Sequence, residues 1–198
     1  MNTRVPFLCL ALWISLGLAQ EAPTLTRAER TAILDTLQRG KQITVRNELY
    51  HWLPEVAAVE RQSRQTTAQE AVAPLGAGPG QVIETKGRLV LFRSPPKKGV
   101  FLERIGEATV YPTVRNTRTG ALGVLTGTLV VKPKDMGEVA GIARRHGLEK
   151  ASEYPHLGIV LYRVKVNADI ADATAALQAD SRVESVYPEI IEHLRAPK

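Results

Sequence analysis

From Thr128 onward the chain alternates between short apolar runs and amphipathic stretches, each closed by turn chemistry. Thr128 to Lys132 reads as a strand, closed by Pro133. Asp135 can cap a helix in which Met136, Val139, Ala140 and Ala143 fall at i, i+3, i+4 and i+7, with Gly147 as its stop. Leu148 to Tyr154 and Ile159 to Val166 read as a second and third strand joined by a turn at Pro155 to Gly158. Asn167 or Asp169 caps a second helix with Ile170, Ala173, Thr174 and Leu177 on one face. Val183 to Tyr187 is a fourth strand, which Pro188 is expected to end. The order is β-α-β-β-α-β, so the class expected is α+β, with a ferredoxin-like domain over residues 121–189.

Right-handed crossovers place both helices of such a unit on one sheet face. The other face is left bare. On the third strand, the period of two separates Ile159 and Leu161 from Val160, Tyr162, Val164 and Val166, so both faces carry apolar side chains. One set packs on the helices, and the other needs a cover: a partner, or the stretch from 82 to 118.

The first half is patterned differently. Thr26-Arg27-Ala28-Glu29 is a capping box, and Ile33, Leu34 and Leu37 give the helix after it one apolar stripe before Gly40. A second helix is expected to start near Pro54 and run through Val56 and Val59, making residues 20–62 a helical segment. Residues 63–81 turn small and polar and end in Pro74, Gly76, Gly78, Pro79 and Gly80, the composition of a flexible linker. Residues 82–120 read as a β-rich extension: Val82 to Arg93, a Ser94 to Gly99 turn, Val100 to Arg104, and Thr109 to Asn116.

Composition changes this picture in three places. With 44% hydrophobic and 5% aromatic residues in 198, the cores must be aliphatic and modest. Arg4, the apolar run Phe7 to Leu18 and the small residues Gly17 and Ala19 form an export signal expected to be cleaved after Ala19, giving a periplasmic or secreted protein with no transmembrane anchor. Cys9, the single cysteine, lies inside that signal, so the mature chain would have no thiol for a disulfide, a metal or a nucleophile.

The net charge is +6, and its surplus is local. Lys86, Arg88, Arg93, Lys97, Lys98, Arg104, Arg115 and Arg118 face only Glu103 and Glu107 between residues 86 and 118. An exported protein rarely meets nucleic acid, so no nucleic-acid partner is expected; the stretch is a solvated face, or it meets an acidic protein or an anionic envelope surface. His51, His146, His156 and His193 have no metal-ligand spacing, and His146 reads as a helix C-cap. No nucleophile elbow or phosphate loop is present, so neither a cofactor nor an enzymatic activity is expected.

Gly127-Thr128-Leu129-Val130-Val131-Lys132-Pro133, Arg145-His146-Gly147-Leu148, Gly158 to Val164, and above all Leu177 to Glu189, a helix end, an acidic turn and a Val-x-x-Val strand, mark the second half. In these pieces it resembles the propeptide domain of subtilisin-like serine proteases, the inhibitor I9 family. This resemblance implies a chaperone or inhibitor of a subtilisin-like serine protease, with the bare face docking on the enzyme and the segment after the fourth strand lying in its cleft. The residues implied are Ile159 and Leu161 on the face, Glu189 toward a helix N-terminus of the enzyme, and the tail Ile190, Ile191, Glu192, His193, Leu194, Arg195, Ala196, Pro197 and Lys198. With Lys198 in the specificity pocket, the target would cleave after basic residues. No catalytic domain follows in the sequence, so the action expected is in trans. The competing reading is an envelope binding or structural protein whose basic middle region meets anionic polymers.

Overall fold

The computed structural model describes residues 25–192. In chain order these form α1 (Arg27–Thr36), β1 (Gln42–Val45), β2 (Glu48–Glu60), α2 (Ala68–Val72), β3 (Val82–Lys86), β4 (Leu89–Arg93), β5 (Glu103–Ile105), β6 (Ala108–Asn116), β7 (Leu122–Pro133), α3 (Val139–His146), β8 (Glu149–Tyr154), β9 (Ile159–Arg163), α4 (Ile170–Gln178) and β10 (Val183–Ile191). Among the described residues the strands join in one ten-stranded sheet, every pairing antiparallel, with few helices packed against it.

β7 holds the two halves together. Its residues Leu122 to Val124 pair with β6, and Thr128 to Val131 pair with β9. β10 runs along β7 from Val124 to Pro133, so β6 and β9 must share the opposite edge and leave a fork between them. The register that sets Val114 opposite Gly123 would bring Pro112 opposite Leu125. Proline has no N–H to donate, which gives the β6 ladder a reason to stop there. Gly127 sits in the fork at φ 77°, and a Cβ on it would lie 2.4 Å from Leu102 Cδ1. Leu102 thus fills the fork from behind.

Three helices pack on one side of the sheet and α1 on the other. Val139 and Ile142 of α3 and Ile170 and Leu177 of α4 form a core with Leu125, Leu129, Val131, Val160, Tyr162, Val183 and Val186. α2 lies over Ala57, Val59, Val90, Phe92 and Val110. Leu34 of α1 and Leu37, its C-cap, meet Leu53, Leu91, Leu122 and Val124 across the opposite face. Each fully buried Leu or Ile contributes roughly 1.5–3 kcal/mol.

Several expectations are corrected. The helix expected near Pro54 is the middle of β2, whose Leu53, Val56, Ala57, Ala58 and Val59 are all buried. An apolar run with helices on both sides of the sheet satisfies a helical period and a buried strand equally. Within the expected linker, Thr67 and Glu70 make a reciprocal capping box that starts α2, and Val72 is fully buried. The stretch 82–118 does not cover the bare face: its strands extend the sheet edgewise. Its segment around Val100 binds the start of α4 on the helix side, with Val100 N donating to Asp169 Oδ2 at 3.1 Å and Ile170 N donating to Val100 O at 2.7 Å. Asp169, rather than Asn167, is the cap of α4. Pro188 does not end the fourth strand, because β10 has a ladder on one edge only and an edge strand tolerates proline.

Candidate partner-binding face

Tyr162 decides which face of the second half is open. Its side chain is fully buried and its hydroxyl donates to Val139 O at 2.8 Å, tying β9 to the start of α3. Burial pushes its pKa up to about 12. Val160 is buried on the same side. Ile159 and Leu161 must therefore point to the other side, where each is half-buried.

The register assembles a row there. Leu161 stands opposite Val130 on one side and Ser152 on the other, and Val130 stands opposite Tyr187. Ile159 pairs with Tyr154, which is 38% exposed, and the adjoining turn presents Leu157 at 57%. Directly opposed side chains in a sheet share a face, so Tyr187, Val130, Leu161, Ile159 and Tyr154 make an apolar strip. Charge frames it. Lys132 pairs with Glu184 at 2.7 Å, and Arg163 stands exposed opposite Thr128.

The remaining expected site residues divide. Glu189 is exposed, and its carboxylate accepts a hydrogen bond from Thr126 Oγ1 at 2.7 Å. Ile190 and Ile191 do not begin a tail; they extend β10 opposite Leu125 and Val124, because β7 is long enough to keep pairing. The Glu192 carboxylate accepts from Asn116 Nδ2 at 3.1 Å and its carbonyl accepts from Lys86 Nζ at 2.9 Å, which holds this end of the chain against β6 and β3. His193 to Lys198 lie outside the described residues, as does the stretch expected to be an export signal.

One contact of the face had no local signal in the sequence. Arg46, at φ 54° in the turn between β1 and β2, donates to Tyr187 Oη at 2.9 Å and lies 4.9 Å from the ring centroid. It fixes the Tyr187 end of the strip across 141 positions of sequence. Only the fold brings the two together.

His146 ends α3 as expected, with Gly147 in the left-handed conformation after it. Its Nε2 meets Asp180 Oδ2 at 2.8 Å, and Arg182 grips the same carboxylate from the other side. These partners, Arg182 foremost, hold the Asp180 carboxyl far below the usual carboxylate range. The cluster is a structural clasp between α3 and β10. Among the described residues no three His, Cys, Asp or Glu side chains are placed to hold a metal ion, and no helix is long and apolar enough to cross a membrane.

The basic stretch is largely neutralised from elsewhere in the chain. Lys86, Arg88, Arg93, Lys97, Arg115 and Arg118 form ion pairs with Glu84, Glu60, Glu55, Glu103, Asp35 and Glu48. Five of those six carboxylates lie outside the 86–118 stretch. A local surplus in sequence is thus a balanced surface in space.

The fold is that of an α+β chain with one antiparallel sheet and, among the described residues, an uncovered apolar strip, and comparison supplies its family. The chain belongs to the family described as "Open reading frame 2 N-terminal domain", which matches residues 59–197. This is a different family from the propeptides that the second half resembles. Among solved structures, a chain in the crystal structure of the Aeromonas sobria serine protease (ASP) and chaperone (ORF2) complex is similar at 22% identity, with a TM-score of 0.37. The match covers 49% of this chain and 99% of that one. No curated protein matches.

Proposed function

We propose that this protein is an exported chaperone and inhibitor of a subtilisin-like serine protease, docking through the open strip of β8, β9, β7 and β10. The observation that carries the reading is the strip itself, with Ile159, Leu161 and Val130 half-buried on a face that no helix of the described chain covers. A stable interface buries about 800 Å² per partner, on the scale of one such sheet face. The family's description, open reading frame 2, shares its label with the chaperone named in the Aeromonas sobria complex.

The second half is read as a ferredoxin-like unit. Its strands lie in the order β10, β7, β9, β8, fourth-first-third-second in chain order, with α3 and α4 together on one face. That order supports the likeness to protease propeptides. In this reading the residues after β10 enter the enzyme's cleft, Glu189 faces the enzyme, and the chain is exported with its signal cleaved near Ala19. The protein binds and holds; it has no catalytic role. The envelope-polymer reading is less favoured, because six of the eight cations it would use are already paired.

Refolding tests the proposal. A serine protease from the source's exported fraction, denatured and diluted into buffer, is expected to recover severalfold more activity with the protein present than without. Replacing Leu161 by Glu should abolish the gain. Equal recovery with and without the protein contradicts the chaperone reading.

A further inference from the structure

The fork between β6 and β9 opens, on the same side as the apolar strip, into a groove of about 810 Å³. This is near the top of the roughly 300–1,000 Å³ range of small-ligand sites, yet it is a trough rather than a chamber. Its floor is apolar. Tyr111 of β6 and the almost fully buried Val124 of β7 line it, Leu102 closes it from behind at Gly127, and Ile191 meets it from β10. Its banks are basic: Arg88 and Arg104 come from the first half, Arg163 and Lys165 from the end of β9.

The charges do not cancel. Glu60 and Glu149 are the acidic side chains lining the groove, and Glu60 is already engaged by Arg88 at 3.3 Å. Arg104, Arg163 and Lys165 take part in none of the ion pairs among the described residues. This contrasts with the rest of the basic stretch, where paired cations are the rule. Cations left unpaired on two facing banks over an apolar floor are arranged for an anionic ligand with apolar side groups.

We infer that this groove binds an acidic, apolar-interspersed peptide segment of a partner protein, laid between Arg104 and Arg163 over Tyr111 and Val124. The inference is independent of whether that partner is a protease. The chain's own residues 193–198 carry Arg195 and Lys198 and no acidic side chain, so like charge disfavours them as the occupant.

The test titrates the purified protein with three fluorescein-labelled dodecapeptides in which Val alternates with Glu, Lys or Ser, read by fluorescence anisotropy. The Glu peptide is expected to bind at least tenfold tighter than the Lys peptide and to weaken as salt rises. Arg104→Glu with Arg163→Glu should cost it at least tenfold and reverse the ranking. If that variant does not keep the wild-type circular dichroism, Arg104→Gln with Arg163→Gln should still cost it severalfold. Amide shifts on adding the Glu peptide should centre on Thr109, Thr126 and Thr128. The inference is overturned if the Glu peptide binds no tighter than the Ser or Lys peptide, or if binding is indifferent to the arginine substitutions. It is also overturned if only a chain lacking residues 193–198 binds, which would make the groove the tail's own, or if oleate saturates the groove one-to-one and displaces the peptide, which would assign it to an anionic lipid.

Discussion

His146 Nε2 and Asp180 Oδ2, 34 positions apart in sequence, stand 2.8 Å from one another and join the end of α3 to the turn that launches β10. The Asp180 carboxylate also accepts from Arg182 Nε at 3.0 Å and Nη2 at 2.7 Å, so both of its oxygens are engaged. The clasp holds the strand that borders the open strip. Because its pKa is depressed in the folded state, Asp180 contributes stability above its unfolded pKa of ~3.9, and that contribution is lost as pH falls below it. Asp180→Asn should therefore cost about 2 kcal/mol at neutral pH and flatten the fall in stability below pH ~4, measured by urea unfolding across pH.

Tyr162 carries the opposite sign. Its raised pKa means the folded state keeps the neutral phenol, so its contribution is complete below an unfolded pKa of ~10 and disappears as pH rises toward about 12. Tyr162→Phe should cost about 1 kcal/mol at pH 7, through the lost bond to Val139 O, and should remove part of the alkaline loss. Thermal melts at pH 7 and pH 11 check both.

Gly127 is where backbone and packing both demand glycine. With φ at 77° and Leu102 Cδ1 2.4 Å from any Cβ, Gly127→Ala must strain the backbone and push Leu102 out of the fork. A loss of about 1–3 kcal/mol is expected in chemical denaturation, with amide shifts on both sides of the fork.

Thr67 tests whether the small, polar stretch before β3 is ordered. Its hydroxyl accepts from Glu70 N at 3.2 Å, and Glu70 accepts from Thr67 N at 2.7 Å. Thr67→Ala should lower stability by about 1 kcal/mol and speed proteolysis within residues 63–81. A flexible linker would show neither effect.

The sequence was most legible where each element had a single period and its own caps. From Thr128 onward the strands and helices are placed close to where the alternation and the Asp135, Gly147 and Asp169 signals put them. β2 was not legible, since Leu53 to Val59 is buried on both sides and buried runs erase the alternation that marks a strand. α2 was hidden by composition, although Thr67-x-x-Glu70 repeats the capping box read correctly at Thr26-x-x-Glu29. Non-local features had no signal at all. Arg46 on Tyr187, the pairing of the basic stretch, and the fork at Pro112 each depend on which strands become neighbours. For the candidate site, the period of two separated Ile159 and Leu161 from Val160 and Tyr162, and it took the Tyr162 bond to Val139 to say which pair faces outward.

The open strip is proposed as the docking face for a serine protease. The most direct measurement captures exported proteins of the source on the immobilised protein and on its Leu161→Glu variant, and labels the eluates with a fluorophosphonate probe for active serine hydrolases. The variant should keep the wild-type melting temperature within a few degrees, since Leu161 is already half-exposed to solvent. The wild type should hold a labelled subtilisin-like protease, and the variant should retain at least tenfold less of it. Equal retention on both baits, or no serine hydrolase on either, would contradict the proposal.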